Sequence, residues 1–183
     1  MSMKATETNL NGVYIVETPK FEDDRGFFIE SFNLKKFRSA VGDKKVNFVQ
    51  DNYSESCKGV LRGLHYQVQH PQGKFVKCLK GAVYDVAVDI RTNSSTFGKW
   101  FGITLDRPEL QLWVPPGLAH GFYALTDSIQ FYYKTTDYYY PEYDRSLLWS
   151  DPTVNVDWKL DGDPILSEKD KNAETFADKF ARM

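Results

Sequence analysis

The chain is poor in the residues that staple, ligate or anchor a protein. It has two cysteines, Cys57 and Cys78, with no C-x-x-C spacing. That excludes a disulfide-rich secreted scaffold and reads as free thiols in a reducing cytoplasm. Its three histidines, His65, His70 and His120, are too few for a dense metal cluster, although a single three-ligand site stays open by count. No stretch approaches the roughly 18–20 continuous apolar residues of a transmembrane helix. The opening MSMKATETNLNG lacks the apolar core of a signal peptide. Neither sign of charge dominates: 23 Lys and Arg face 25 Asp and Glu, a net charge of −2. This removes the bulk electrostatic case for duplex nucleic acid or a membrane surface. Any anionic ligand must be held by a few placed cations. Low-complexity tracts, Gly/Ser linkers and fixed repeats are also missing, so residues 1–183 read as one domain.

What the chain has in excess is aromatic residues. Thirteen Phe, eleven Tyr and four Trp make up 15% of it. That excludes intrinsic disorder and favours strands, whose pleated surface suits aromatic and β-branched side chains. The pattern predicts strands over Gly12–Phe21, Phe27–Phe32, Val46–Asn52, Val60–Tyr66, Lys74–Leu79, Ala82–Arg91, Lys99–Leu105, Gln111–Val114, Gly121–Leu125, Ile129–Thr135 and Leu147–Ser150. A polar turn is expected at Asp23–Gly26. One short helix is expected at Asn33–Val41 with Asn33 as N-cap, and another in the polar tail from Ser167. Many short strands separated by turn residues indicate an all-β sandwich or barrel.

Parity sharpens two strands, because side chains alternate across a pleat. In Ala82–Arg91, Tyr84, Val86, Val88 and Ile90 share an apolar face, opposite an ionisable face with Asp85, Asp89 and Arg91. In Ile129–Thr135, Tyr133 shares the apolar, inward face with Ile129 and Phe131. A buried tyrosine hydroxyl normally needs a partner.

Four clusters carry chemistry. Gly59–Gln67 (GVLRGLHYQ) sets Arg62 and His65 in an otherwise apolar strand, on opposite faces if alternation is strict. Gly63 between them would mark a bulge that re-aims one of them. The bland alternative is an edge arginine and a satisfied core histidine. Pro115–Gly121 (PPGLAHG) contains P-x-G-x-x-H on a turn. Gln130–Arg145 (QFYYKTTDYYYPEYDR) holds six tyrosines, most of which read as a packing belt or an oligomer interface. Leu166–Asp170 (LSEKD), taken alone, is a solvated charge run.

The P-x-G-x-x-H turn, set well downstream of GLHYQ, resembles the second motif of the cupin superfamily, whose fold is a double-stranded β-helix, a jelly-roll barrel. A metal cupin supplies H-x-H in its first motif. Here the second position is Gln67, so the ligand set is incomplete. The ordered segments DRGFF (Asp24–Phe28), FVQDN (Phe48–Asn52), GVLRGLHYQ, QGK (Gln72–Lys74), DVAVDIR (Asp85–Arg91), TFGKW (Thr96–Trp100), PPGLAHGF, YKTTDYY (Tyr133–Tyr139) and LSEKD resemble the dTDP-4-dehydrorhamnose 3,5-epimerase family over nearly the whole chain.

The resemblance implies an all-β cupin jelly-roll with a few short peripheral helices and a tail from about residue 167 that reaches the active site. It implies a substrate, dTDP-4-dehydro-6-deoxy-D-glucose, with a ketone at carbon 4 that acidifies the protons on carbons 3 and 5. His65 matches the base, with Asp170 holding its imidazole. Tyr133 matches the opposite-face acid, and Lys74 the stabiliser of the enolate oxygen. An unperturbed imidazole titrates near ~6.5, which suits a reversible base at neutral pH. Arg62, Arg25 and Lys169 match contacts to the diphosphate, for which planar Arg is well shaped. Gln50 and Asn52 match the nucleotide pocket, Glu30 and His120 further substrate contacts, Tyr138 a platform for the thymine, and Asp144 a family carboxylate. Asp85 is expected to orient Lys74. No cofactor and no metal are implied. A homodimer is, with Arg25 and Glu30 serving the neighbouring subunit's site. Three alternatives remain: a single-carbon epimerase or 3,4-ketoisomerase of the same nucleotide sugar, a non-catalytic sugar-nucleotide-binding cupin, and a metal-dependent dioxygenase.

Overall fold

Residues 2–180 are described by the computed structural model. The strands are β1 (Lys4–Glu7), β2 (Tyr14–Glu17), β3 (Lys20–Asp23), β4 (Gly26–Ile29), β5 (Gln50–Cys57), β6 (Leu61–Gln67), β7 (Lys74–Lys80), β8 (Val83–Asp89), β9 (Trp100–Leu105), β10 (Leu110–Val114), β11 (Leu118–Ala124), β12 (Ser128–Thr135) and β13 (Asp144–Ser146). Helices are short: α1 (Leu34–Val41), α2 (Glu168–Lys171) and α3 (Phe176–Phe180). Among the described residues no helix is long and apolar enough to cross a membrane.

Two antiparallel sheets form the body. One runs β1-β2-β10-β7-β12-β5 and the other β13-β6-β11-β8-β9, while β3 and β4 make a separate hairpin. Their inner faces meet through Val76, Cys78, Leu112, Val114, Ile129 and Phe131 from the first sheet. Val83, Ala87, Leu105, Leu118 and Phe122 answer from the second. This is the jelly-roll expected of a cupin. The outer faces are covered as well. On the six-stranded sheet, α1 presses Phe37 into a nest of Phe32, Phe48, Phe75 and Trp113, with ring centroids 4.8–6.1 Å from its own. On the five-stranded sheet, Tyr84, Val86 and Val88 pack under Leu147, Val154, Trp158 and Phe176 of the C-terminal segment. Each such buried side chain contributes on the order of 1.5–3 kcal/mol.

Asn33 caps α1 as the sequence predicts, its Oδ1 accepting from Lys36 N at 3.1 Å, and Gly42 ends the helix at φ 73°. The ionisable face of Ala82–Arg91 turns out to be the inward one, since Val83 and Ala87 on it join the inter-sheet core. Two expected strands shift. The apolar stretch at Val46–Val49 leaves the sheet to pack Val46 and Phe48 under α1. The strand is instead the polar QDNYSESC of β5, an edge strand paired only with β12. Likewise Leu147–Ser150 caps the core, and the pairing segment is β13 just before it. The short polar β1 has no hydrophobic alternation and escapes prediction.

Candidate active site

The site begins with an irregularity in β6. His65 lies opposite His120 of β11, but Arg62 lies opposite Phe122, so two residues of β6, Gly63 and Leu64, face the single Gly121. The resulting bulge restores parity between residues three apart. Arg62 and His65 now share the inner face, whereas Leu61 and Leu64 pack the outer core. Glycine is required on both strands. Gly63 sits at φ 134°, and a Cβ there would meet Gly121 Cα at 2.5 Å. A Cβ on Gly121 would meet the Arg62 carbonyl oxygen at 2.6 Å.

The inner face opens into a cavity of about 270 Å³ whose lining includes Asn52, Arg62, His65, Lys74, His120 and Tyr133. Five strands of the two sheets deliver these groups: β6, β7, β11 and β12, with β5 at the rim. Phe122 and Phe131 supply the apolar floor, with ring centroids 4.3 Å apart. Their inward parity, the same as that of His120 and Tyr133, is the sequence signal that would have found them.

Carboxylates back both lumen histidines. His65 Nε2 lies 2.6 Å from Asp170 Oδ1. Asp170 is delivered by α2, with its side chain 3% exposed against 34% for His65. The Ser167 hydroxyl caps that turn by accepting from Asp170 N at 3.2 Å. Burial alone would raise the Asp170 carboxyl, but the His65 ring and the Ser167 and Gly63 contacts bring it below its ordinary value. His120 Nε2 lies 2.9 and 3.0 Å from the two oxygens of Asp85, which is fully buried. Asp85 therefore engages His120 directly, and not Lys74 as expected. The inter-strand register of β8 and β11 sets Asp85 diagonal to His120, within hydrogen-bond reach of its ring. Lys74 instead donates from Nζ to the His65 carbonyl oxygen at 3.2 Å. Burial pushes its ammonium down to about 8, against the upward pull of Asp144 and Asp85. Burial raises the Tyr133 phenol above its usual value, with Arg62 opposing.

At the rim, Arg62 donates from Nε to Ser56 Oγ at 3.1 Å and from Nη2 to the Glu55 carbonyl oxygen at 3.4 Å. Asp144 is ion-paired with Lys169 and accepts from the Tyr139 hydroxyl at 3.1 Å. Gln50 donates to Asn52 Oδ1 at 3.0 Å. Tyr138 is exposed on the irregular segment after β12. Arg25 and Glu30 stand apart from the cavity. Arg25 is 90% exposed at the β3–β4 turn and pairs with Asp23, while Glu30 pairs with Lys36. Among the described residues no three His, Cys, Asp or Glu side chains converge as a metal site.

A cavity with a carboxylate-backed imidazole, a phenol and an ammonium can remove a carbon-bound proton, return one and stabilise the oxyanion between the two steps. The family model described as dTDP-4-dehydrorhamnose 3,5-epimerase matches residues 7–178. A curated dTDP-4-dehydrorhamnose 3,5-epimerase of Shigella flexneri is 52% identical, over 96% of this chain and 97% of its own. The crystal structure of dTDP-6-deoxy-D-glucose-3,5-epimerase from Legionella pneumophila, in complex with dTDP-4-keto-L-rhamnose, superposes with a TM-score of 0.91 at 48% identity, covering 94% of this chain and 92% of that one. A 3'-monoepimerase from Streptomyces bikiniensis, in complex with dTDP-quinovose, shares the fold at a TM-score of 0.86 and 32% identity, over 95% and 89%.

Proposed function

This chain belongs to the dTDP-4-dehydrorhamnose 3,5-epimerase family and is an isomerase, and we propose that it inverts carbons 3 and 5 of dTDP-4-dehydro-6-deoxy-D-glucose through His65 and Tyr133. The observation that carries this reading is the convergence of His65, Tyr133 and Lys74 on one cavity.

His65 removes the proton from the carbon next to the ketone. Its Nε2 is committed to Asp170, so Nδ1 takes the proton, and the Asp170 carboxylate stabilises the imidazolium that forms. Electrons move onto the carbon-4 oxygen, where the Lys74 ammonium meets the growing charge. A donor of this kind is worth on the order of 10²–10³ in rate. Tyr133 returns a proton to the opposite face. Its raised phenol keeps that proton at neutral pH, and an enolate carbon is basic enough to take it. Proton exchange with solvent returns His65 to the neutral ring and Tyr133 to the phenol, and the second carbon then follows by the same sequence. His120, held by Asp85, contacts the sugar beside His65.

Recognition of the nucleotide falls to Arg62 and Lys169 at the diphosphate, Gln50 and Asn52 in the nucleotide pocket, and Tyr138 at the thymine. Asp144 holds Lys169 in place. The enzyme works without metal or cofactor, in the cytoplasm, as a homodimer. The exposed aromatics Phe21, Phe27 and Phe28 on the β3–β4 hairpin support the dimer, since a monomer would leave them in water. On this reading the hairpin carries Arg25 and Glu30 to the neighbouring subunit's site.

The test is turnover in deuterium oxide. Deuterium is expected at both carbons 3 and 5 with wild-type protein, and at neither with folded His65→Asn. Label at carbon 3 alone would leave the single-carbon reading, for which the shared fold of the monoepimerase is the precedent. Undiminished exchange in His65→Asn would remove His65 as the base.

A further inference from the structure

Gln67 occupies the place where a metal cupin's H-x-H motif puts its second histidine, and no step above uses it. It is buried, 7% exposed, and every polar atom of its amide is engaged. Nε2 donates to the His70 carbonyl at 2.7 Å and to the Tyr138 carbonyl at 3.2 Å. Oε1 accepts from Tyr140 N at 2.7 Å. Across the same segment, Gln50 Oε1 accepts from Tyr139 N at 3.1 Å. Three consecutive residues with no secondary structure of their own are thus held by two side-chain amides from the barrel strands. The His70 ring leans on Tyr140, centroids 4.5 Å apart, and its Nδ1 lies 3.3 Å from Asp137 Oδ2, which fastens the flanking loop to the same segment.

We infer that Gln67 is a positioning residue for the nucleotide end of the substrate: its amide clamps the 138–140 backbone and so sets the aim of Tyr138 toward the base. In this irregular segment the Tyr138 N–H is held by Asp137 Oδ1 at 2.7 Å, and the direction of the exposed Tyr138 depends as well on what ties its carbonyl. Gln67 supplies that tie from a buried strand. A position that binds metal in other cupins is here spent on a loop. This rests on the proposed role of Tyr138 at the thymine.

The experiment compares dTDP with inorganic pyrophosphate by calorimetry, alongside steady-state kinetics, in Gln67→Met, Gln67→Glu, Tyr138→Ala and the Gln67→Glu/Tyr138→Ala double variant. Gln67→Glu is included because it keeps the acceptor for Tyr140 N–H if the fully stripped Gln67→Met does not fold. Base–aromatic stacking is worth enough that losing its aim weakens dTDP and raises KM about tenfold. Pyrophosphate affinity and kcat are expected to stay within about twofold, and the double variant to be no worse than Tyr138→Ala alone. Parallel loss of dTDP and pyrophosphate, unchanged dTDP affinity in both Gln67 variants, or additive losses in the double variant would each overturn the inference. If Tyr138→Ala itself leaves dTDP binding intact, the stacking reading fails, and that result is distinct from a Gln67 variant that is silent while Tyr138→Ala is not.

Discussion

Replacing Lys74 with methionine should make the protein more stable and nearly inactive. The ammonium is buried in the cavity wall, with one hydrogen bond, to the His65 carbonyl. Burial brings its pKa from 10.5 down to about 8. That difference corresponds to ~3 kcal/mol by which folding disfavours the charged form at neutral pH. Methionine keeps the stem and removes the charge. The lost hydrogen bond returns about 1 kcal/mol of this, leaving a net gain of ~2 kcal/mol, or roughly 4–8 °C in Tm for a chain of this size. The gain has a pH signature. Below about pH 8 Lys74 is protonated in both folded and unfolded chains, and wild type bears the whole penalty. Between about 8 and 10.5 the unfolded chain binds the proton more tightly than the folded one, so wild-type stability rises with pH and the variant's advantage shrinks to nothing. Lys77, also brought down to about 8 by burial, titrates in both proteins and cancels in the difference. Urea denaturation of both proteins from pH 6 to 10, paired with turnover assays, measures this. A variant less stable than wild type at pH 7, or an advantage that stays flat to pH 10, would refute the reasoning. The expected activity loss is about 10²–10³ in kcat.

On the proposed mechanism the same lysine sets the alkaline limb of wild-type activity. kcat/KM should fall as pH rises through about 8, and a limb appearing only above pH 10 would assign it to another group. Tyr133→Phe should slow product formation by about 10²–10⁴ while solvent deuterium still enters recovered substrate; wild-type product stereochemistry and rate in that variant would discharge Tyr133 as the acid. Gly63→Ala places a Cβ 2.5 Å from Gly121 Cα at a positive φ and should cost ~2–5 kcal/mol, read by urea denaturation; a loss under 1 kcal/mol would show that the bulge can relax.

How far the site could be read from the chain depended on which strands alternate without interruption. β12 does, so Ile129, Phe131 and Tyr133 could be placed on one inward face from residue parity, and they pack there. β6 does not. Its Gly63 hinted at a bulge, but only the register against β11 shows that Arg62 and His65 end on the same face. β5 was misplaced because an edge strand needs backbone pairing and no apolar run. Its polar QDNYSESC is carried by β12, while the apolar residues just before it serve a different core under α1. The Asp170–His65 contact spans 105 residues, and no local pattern encodes so distant a pairing; the family resemblance was the sole route to it. Asp85 marks the finest limit. Its place on the ionisable face was readable, but not that this face points inward, and its partner depended on whether the lysine of β7 or the histidine of β11 comes within reach, which the register decides for His120. The two histidines of adjacent strands consequently each hold a buried carboxylate on Nε2, which on the proposed reading leaves Nδ1 on each ring for the sugar. On the proposed reading, a lumen that resembles a metal cupin in fold and in histidine placement serves proton chemistry: a carboxylate holds one nitrogen of each ring, and Gln67, in the place of the second H-x-H histidine, ties down a loop.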